Sequence, residues 1–248
     1  TENSLRILNA RRTIKKDSIA ARLKEFRPII AVIPCRKNYD FYPDLWRENI
    51  LEDSLLEHAI KSCMSSPIFD HIVVTSDNPD ARETLEKFSD PRLLFMGRNI
   101  EHTIPSCSIV ASLEPIVRSL DARRSGITVL SYIQSPFISR HILEEAVHTL
   151  LVNDADSAFA VQEIHDPLLK RTPNGLVPIN YSRGIRTDFD TIYLQARTAS
   201  ATKNINLKTG SLTGSKIVNF VVPKEESFFI ENKKDLEIAR LLSVRSVK

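Results

Sequence analysis

The chain has 248 residues, of which 42% are hydrophobic and 26% charged, enough apolar material for one α/β domain with an appended subdomain. Its 34 basic and 31 acidic residues leave a net charge of +3, which argues against nucleic acid as a partner. No apolar stretch approaches the ~20 residues that span a membrane, so we expect a cytoplasmic protein whose three cysteines are reduced thiols.

The N-terminal segment, residues 1–27, is rich in lysine and arginine and is predicted to be a lead-in to a single domain over residues 28–248. Asp17 is a candidate N-cap for a short helix that follows it through Phe26. Because the charge of the whole chain is balanced, a solvated helix or linker is favoured over an arm that binds nucleic acid.

The apolar run Ile29–Pro34 predicts the first, buried strand of an α/β sheet. It leads directly into a loop with Cys35 and Arg36, and the loops at the carboxyl ends of such strands bind nucleotide phosphates. The first glycine of the chain is Gly97, so we expect no residue here with the positive φ that helps a backbone wrap around phosphate. The sequence therefore predicts a nucleotide-binding scaffold with an unusual phosphate loop.

Strands and amphipathic helices alternate from this first strand to residue 161. The predicted helices cover residues 53–66, 79–88, 105–120 and 139–152. The predicted strands cover residues 72–75, 92–96, 127–133 and 157–161. This alternation predicts an α/β fold with a mostly parallel sheet and helices on both of its faces.

The segment from about residue 165 to 213 is polar and rich in Arg, Thr and Asn. It is predicted to be an inserted β-arm or lid with short strands over residues 176–179 and 191–194. The chain then returns to the core as a strand over residues 216–222 and ends in a helix over residues 233–242.

A series of short motifs follows this framework in order through residues 29–242. Pro34, Arg36 and Pro43 stand at the start of the series, and Arg98 follows the third strand. The other motifs are Leu55–Leu56, Ile72–Asp77, Leu130–Pro136, Ala155–Val161, His165–Pro167 with Lys170, Ser227–Glu231 and Asp235–Leu236. In order and spacing they resemble the acylneuraminate cytidylyltransferases, which are CMP-sialic acid synthetases, and the related CMP-Kdo synthetases. The resemblance implies a Rossmann-like nucleotidyltransferase sheet, similar to that of GT-A glycosyltransferases.

The resemblance also implies an activity, in which an acidic 2-keto sugar attacks the α-phosphate of CTP and pyrophosphate leaves. Such a reaction needs cations on the triphosphate and a Mg²⁺ ion held by carboxylate. The residues that carry over as catalytic are Arg36 and Arg98. Those that carry over as nucleotide-binding are Arg36, Lys37, Asp77, Arg98, Gln134 and Ser135. His165 and Lys170 are implied to face the sugar, Glu231 to bind Mg²⁺, and the arm to pack across a twin subunit in a homodimer.

The chain departs from the family pattern where this chemistry is concentrated. The loop serine, lysine and glycine of the family are replaced by Tyr39, Asp40 and Phe41, and a carboxylate in place of lysine repels phosphate. The first of two metal-binding aspartates is replaced by Phe229. The alternative function is therefore a binding or regulatory protein that has the fold without turnover.

Several residues have alternative interpretations. Asp77 is favoured as the N-cap of the helix after Pro79, and Glu231 as a carboxylate at a helix start. Trp46, at the position of a family asparagine, is either a plug in the nucleotide-base site or an aromatic that faces a partner. The triplet Asp188–Asp190 resembles the Asp-x-Asp motif of metal-dependent glycosyltransferases, which makes a GT-A glycosyltransferase the third hypothesis.

Overall fold

The computed structural model describes residues 19–104, 106–180 and 191–246, with side chains through residue 244. Asp17 and the rest of the first 18 residues lie outside the described residues, as do Asp188 and Asp190. Within the described ranges, no helix combines the length and the apolar character that a bilayer crossing requires.

Helices and short ribbons alternate with the strands of one large sheet. The α-helices are α1 (residues 19–25), α2 (Leu55–Met64), α3 (Ala81–Leu85), α4 (Val110–Leu120), α5 (Arg140–Val152), α6 (Asn204–Leu207) and α7 (Lys233–Ser246). The strands are β1 (Ile29–Cys35), β2 (Asn38–Tyr39), β3 (Tyr42–Pro43), β4 (Asn49–Ile50), β5 (Asp53–Ser54), β6 (His71–Ser76), β7 (Leu93–Gly97), β8 (Ile127–Ser131), β9 (Ser157–Ile164), β10 (Leu169–Thr172), β11 (Gly175–Pro178), β12 (Ile192–Lys203) and β13 (Ile217–Val221). Two 3-10 helices cover Leu45–Arg47 and Ile100–Thr103.

Seven strands form the central sheet in the order β13-β9-β12-β8-β1-β6-β7. β1 pairs in parallel with β6 on one side and with β8 on the other, and β6 pairs in parallel with β7. β12 runs antiparallel to both of its neighbours, and β13 is parallel to β9 at the edge. The predicted mostly parallel α/β sheet is thus confirmed.

The central strand β1 is buried along its whole length because helices cover both faces of the sheet. Ile29, Ala31 and Ile33 belong to the core shared with α2 and α5. Ile30 and Val32 point the other way and belong to the core shared with α4. Successive side chains of a strand face opposite sides, so a strand covered twice requires an uninterrupted apolar run.

The segment predicted as an arm divides into two parts. β10 and β11 form a separate antiparallel hairpin with mostly exposed side chains. Residues 192–203, in contrast, form β12, which lies inside the sheet between β8 and β9. The buried side chains of this strand are Ala196, Thr198, Ala199, Ala201 and Thr202. The sequence pattern predicted only the start of this strand, over residues 191–194, and assigned it to the arm. The rest was missed because small and hydroxyl side chains, not large apolar ones, face the core.

Candidate functional site

Two adjoining cavities form a cleft at the carboxyl ends of the parallel strands. The first, of about 300 Å³, is lined by residues that follow β1, β7 and β8. The second, of about 290 Å³, is lined by the loop after β1, by β12 and by the segment before α7. Arg36, Asp40 and Gln134 line both. We name the first the diarginine cavity, because Arg98 joins Arg36 there, and the second the Glu231 cavity.

The two arginines of the diarginine cavity are held by backbone carbonyls. Arg36 follows β1 and donates a guanidinium hydrogen bond of 2.9 Å to the carbonyl of Thr103. Arg98 follows β7, and its amide donates to the carbonyl of Ser76 at 2.8 Å, which ties it to the end of β6. Its guanidinium donates to the carbonyl of His102. Both side chains therefore have fixed positions at the mouth of the sheet.

The described residues leave both arginines of this cavity without an ion-pair partner. Among the described residues, neither guanidinium has a carboxylate oxygen within 4.0 Å. Burial lowers the pKa of Arg98, and the neighbouring charge of Arg36 lowers it further. The Nε–H group of Arg98 is buried and has no acceptor within the described ranges. Two adjacent cations with an unused buried donor form a site that favours an anion.

The loop after β1 supports Arg36 with an aromatic ring. Tyr39 is buried, its hydroxyl accepts the amide hydrogen of Arg36 at 3.4 Å, and the Arg36 guanidinium lies 4.8 Å from the ring centroid. Burial raises the pKa of Tyr39, so the phenol stays neutral under the arginine. The Phe41 ring lies 6.3 Å from the Tyr39 ring and lines the Glu231 cavity without filling it.

The expectation that this loop lacks positive φ is wrong. Asp44 adopts φ of 49°, a conformation in which Asp is several-fold enriched, and its amide donates to the carbonyl of Lys37 at 2.6 Å. The Asp44 carboxylate accepts hydrogen bonds from the indole of Trp46 and from the amide of Asn78. An aspartate thus closes the loop that we expected to lack such a conformation.

A hydrogen bond between Asp77 and Lys37 fixes the backbone of this loop. The carboxylate of Asp77 accepts the amide hydrogen of Lys37 at 2.9 Å and so ties the loop to the end of β6. The interpretation of Asp77 as a helix cap is wrong, because α3 begins after Asp80. Neither Asp77 nor Lys37 is among the described residues that line the two cavities.

Trp46 lies away from the cleft. Its side chain is only 3% exposed and packs in the hydrophobic core, so the interpretation as an aromatic that faces a partner is wrong. The interpretation as a plug in the base site stays a prediction. The Trp46 side chain lines a separate cavity of about 330 Å³, whose lining includes the ion pairs of Arg47 with Asp80 and of Lys87 with Glu57. This separate cavity contains none of the predicted site residues.

Gln134 connects the two cavities. The side-chain amide of Gln134 donates a hydrogen bond of 2.9 Å to the backbone carbonyl of Ile230. The backbone carbonyl of Gln134 accepts the backbone amide hydrogen of Ile230, also at 2.9 Å. This pair of bonds fixes the segment before α7 against the turn after β8. Ser135 is buried next to it and does not line either cavity, and its hydroxyl has no partner among the described residues.

Glu231 forms an ion pair that the sequence did not predict. Its carboxylate pairs with Arg197, whose guanidinium lies 4.9 Å from the centroid of the Phe229 ring. Asp235 accepts the amide hydrogen of Glu231 at 2.8 Å, so Glu231 contributes its backbone, not its carboxylate, to the start of α7. The sequence analysis missed Arg197 because it lies in the polar segment that was assigned to the arm. In the structure it lies where the register of β12 with β9 shifts, between Gln195 and Ser200.

The carboxylates of the cleft are the groups that a metal ion would bind. In the described part of the chain, no group of three or more His, Cys, Asp and Glu side chains is arranged to hold a metal. Asp40 and Glu231 line the same cavity. Mg²⁺ usually binds one or two carboxylates together with water and substrate phosphates. The donor set therefore fits a Mg²⁺ ion that arrives with a polyphosphate, and not one caged by protein alone.

The residues predicted to face the sugar lie at the base and on the hairpin of the arm. His165 is exposed and its Nε2 lies 3.6 Å from a carboxylate oxygen of Glu163. Lys170 is exposed on β10. The structure does not bring either residue to the two cavities, whereas it brings Arg36, Arg98, Gln134 and Glu231 into one cleft.

Sequence comparison finds two similar curated proteins, while no protein-family model matches the chain. Both are pseudaminic acid cytidylyltransferases of Campylobacter jejuni subsp. jejuni. The one from serotype O:2 is 24% identical over 143 residues, and this match spans 56% of the chain and only 60% of that relative. The one from serotype O:23/36 is 22% identical over 230 residues, 86% of the chain and 95% of that relative.

Structure comparison finds solved structures with the same fold. A CMP:2-keto-3-deoxy-manno-octonic acid synthetase complexed with CTP gives a TM-score of 0.68 at 15% identity, covering 89% of this chain and 100% of that chain. A 4-diphosphocytidyl-2C-methyl-D-erythritol synthase from Anaerococcus prevotii gives 0.64 at 13% identity, covering 90% and 98%. The predicted nucleotidyltransferase fold is confirmed, and the chain is cytidylyltransferase-like in sequence and in fold.

Proposed function

We propose that this chain, a divergent relative of the cytidylyltransferases, joins CMP from CTP to an acidic 2-keto sugar and releases pyrophosphate. Both curated relatives are named for pseudaminic acid, which supports a nonulosonic acid as the sugar class. The solved synthetase complexed with CTP supports cytidine triphosphate as the nucleotide.

The observation that carries the proposal is the pair of guanidinium groups in the diarginine cavity. Arg36 and Arg98 follow two parallel strands of the sheet and line one cavity, where burial and then the charge of Arg36 lower the pKa of Arg98. Neither has a carboxylate partner in the described ranges, and Arg98 has a buried donor to spare. A triphosphate supplies oxygen acceptors and negative charge at the strand ends, where α/β folds bind nucleotides.

In the proposed reaction, a sugar hydroxyl oxygen bonds to the α-phosphorus of CTP. The bond from that phosphorus to the bridging oxygen of the β-phosphate breaks, pyrophosphate leaves, and the hydroxyl proton passes to water. Negative charge grows on the leaving group, so fixed guanidinium groups stabilise the transition state more than the ground state. Because Thr103 and Tyr39 hold Arg36 in place, this charge stabilisation requires little reorganisation.

A Mg²⁺ ion bound with the nucleotide would be held by Glu231 and Asp40. It would supply further neutralisation of the phosphate charge. Gln134 fixes the segment before α7 to the turn after β8, and both carboxylates line the same cavity. The protein's contribution is therefore to hold both carboxylates near the arginines that bind the phosphates.

A CTP-binding protein without turnover is the second candidate, and the loop after β1 favours it. Asp40 lies beside Arg36 at the family's lysine position, and Arg197 already occupies the Glu231 carboxylate. Both features reduce the positive charge and the metal-binding capacity that turnover needs. Binding of CTP without pyrophosphate release would identify this second function.

We also propose that the chain forms a homodimer through its β10–β11 hairpin. Two-stranded hairpins are marginally stable alone, and this one exposes Leu169, Leu176 and Val177 to solvent. A twin subunit is the partner that such an arm would cover. Sedimentation velocity over a concentration series tests this, with Leu176→Lys expected to shift the protein to monomer; a wild-type monomer at all concentrations contradicts it.

The experiment for the main proposal combines thermal shift with pyrophosphate release. CTP with Mg²⁺ at 100 times its Kd should stabilise the fold by about 2.7 kcal/mol, a shift of several degrees. Pyrophosphate should appear when a nonulosonic acid is added. Arg36→Ala should reduce the stabilisation at the same CTP concentration to about 0.4–1.4 kcal/mol and slow pyrophosphate release. Arg118→Ala, at an exposed arginine on α4, should retain both signals. The absence of any CTP-dependent shift at millimolar ligand rejects both nucleotide functions.

A further inference from the structure

The ion pair between Arg197 and Glu231 is built so that it can exchange partners. The side chain of Arg197 is 59% exposed and that of Glu231 is 54% exposed. Ion pairs with this much solvent exposure contribute little to the stability of the fold. A carboxylate from a ligand can therefore replace Glu231 on the guanidinium at small cost. The planar guanidinium binds carboxylates through two parallel hydrogen bonds, which favours an incoming carboxylate of suitable geometry.

Each member of the pair keeps its place without the other. Arg197 lies on β12 between buried Ala196 and Thr198, and its guanidinium also lies over the Phe229 ring at 4.9 Å. The backbone of Glu231 is fixed by its hydrogen bond to Asp235. Breaking the pair thus releases two charged groups that remain at the same cavity.

The three arginines of the cleft are distributed over its two cavities. Arg98 lines only the diarginine cavity and Arg197 only the Glu231 cavity, while Arg36 lines both. If the triphosphate engages Arg36 and Arg98, Arg197 is the cation left for the second substrate. That substrate carries a carboxylate in the proposed reaction.

We propose that the carboxylate of the acidic sugar displaces Glu231 from Arg197 and thereby frees the Glu231 carboxylate to bind a divalent cation. The inference rests on the proposed function and deepens it, because it assigns Arg197 as the residue that recognises the acid. Coupling between two ligands is reciprocal, so the metal must also strengthen binding of the acid. A neutral sugar, which cannot compete for Arg197, does not produce this coupling.

The test is a titration of the full chain with Mn²⁺, followed by the electron paramagnetic resonance signal of the free ion. The titration is done with a non-hydrolysable α,β-methylene CTP analogue, with and without N-acetylneuraminic acid or Kdo. In the wild type, at least one acid should lower the apparent Kd for Mn²⁺ by about two- to fivefold. A neutral hexose should leave that Kd unchanged.

Variants of the pair separate this inference from a general effect on the cleft. Arg197→Ala leaves Glu231 free, so it should bind Mn²⁺ about two- to fivefold more tightly than the wild type without acid, and acid should have no effect. Glu231→Gln should bind Mn²⁺ weakly in both conditions. Arg197→Lys should restore part of the coupling, which a merely structural role of Arg197 would not predict.

Weaker Mn²⁺ binding by Arg197→Ala, or coupling that persists in it, overturns the exchange. Failure of both acids to alter Mn²⁺ binding in the wild type also overturns it. Failure of the proposed function is seen separately, as the absence of a CTP-dependent thermal shift in the wild type. The exchange can therefore fail while nucleotide binding stands.

Discussion

The two cavities of the cleft differ in how their charges are balanced. The diarginine cavity holds two guanidinium groups that are bound by carbonyls and are not paired with carboxylates in the described structure. The Glu231 cavity holds Arg197 and Glu231 already joined. The first cavity is thus prepared for an anion from outside, whereas the second must break an internal pair before it binds a charged ligand.

The difference follows from the elements that build each side. β1, β6 and β7 are parallel neighbours, so Arg36 and Arg98 follow strands that end at one edge of the sheet. β12 runs in the opposite direction, and Arg197 comes from its middle, where the register with β9 shifts. At this register shift the regular pairing with β9 is interrupted, and the exposed Arg197 lies between buried Ala196 and Thr198.

The largest effect on CTP binding is expected from removing an arginine of the diarginine cavity. Hydrogen bonds to charged groups contribute roughly 1.5–3 kcal/mol, so Arg36→Ala should weaken CTP binding by about 10- to 100-fold. Isothermal titration calorimetry measures the change, with Arg118→Ala as the control. If Arg36→Ala binds CTP as the wild type does, the diarginine cavity is not the phosphate site.

A second prediction uses the cysteines as reporters of the same cavity. Cys107 lines the diarginine cavity and is partly exposed, whereas Cys35 and Cys63 are fully buried. Iodoacetamide should therefore modify Cys107 first. CTP at ten times its Kd should slow this alkylation about tenfold by occupancy.

Peptide mapping by mass spectrometry measures the rate at each cysteine. The Arg36→Ala variant serves as a matched control, because the same CTP concentration should slow its Cys107 alkylation by no more than about twofold. Equal alkylation rates of the wild type with and without saturating CTP would place the nucleotide elsewhere.

A smaller effect is expected from the carboxylate shared by the two cavities. Asp40 repels phosphate in the absence of metal, so Asp40→Asn should tighten metal-free CTP binding about three- to fivefold. With Mg²⁺ present this gain should disappear, because the variant also loses a proposed metal ligand. Binding in EDTA and in Mg²⁺ is compared by calorimetry, and Glu237→Gln, an exposed carboxylate on α7, is the control.

The smallest effect is expected from the Tyr39 hydroxyl. Its contact with the Arg36 amide is long, at 3.4 Å, and the ring rather than the hydroxyl supports the guanidinium. Tyr39→Phe should change the free energy of unfolding by less than about 1 kcal/mol and leave CTP affinity unchanged. Urea denaturation measures the first and calorimetry the second. A large loss of affinity would mean that the hydroxyl itself contacts the ligand.

Much of one side of the cleft could be predicted from the sequence. The unbroken apolar run of Ile29–Cys35 predicts a buried strand. An arginine that directly follows such a strand must lie at the edge of the sheet where the strand ends. Arg36 and Arg98 were named on this basis and on the family resemblance, whereas Gln134 and Glu231 were named on the resemblance alone. All four lie in one cleft. Their roles in binding and catalysis remain predictions.

The other side could not be predicted because its signals are weak or lie far apart in the sequence. β12 buries alanine and threonine, so its pattern resembled that of a polar arm. His165 and Lys170 matched a motif by order alone, and the structure leaves both exposed away from the cavities. Asp77 had a plausible local role as a helix cap, but a distant amide, that of Lys37, takes its hydrogen bond.

The sequence by itself determined the alternation of buried strands with helices, and hence the sheet edge at which Arg36 and Arg98 meet. Local apolar periodicity is enough for this, because each strand covered on both faces must be apolar throughout. Only the tertiary structure decided that Arg197 meets Glu231, since 34 positions separate them and no local pattern encodes that contact. The charge balance of the cleft is therefore a property of the folded chain.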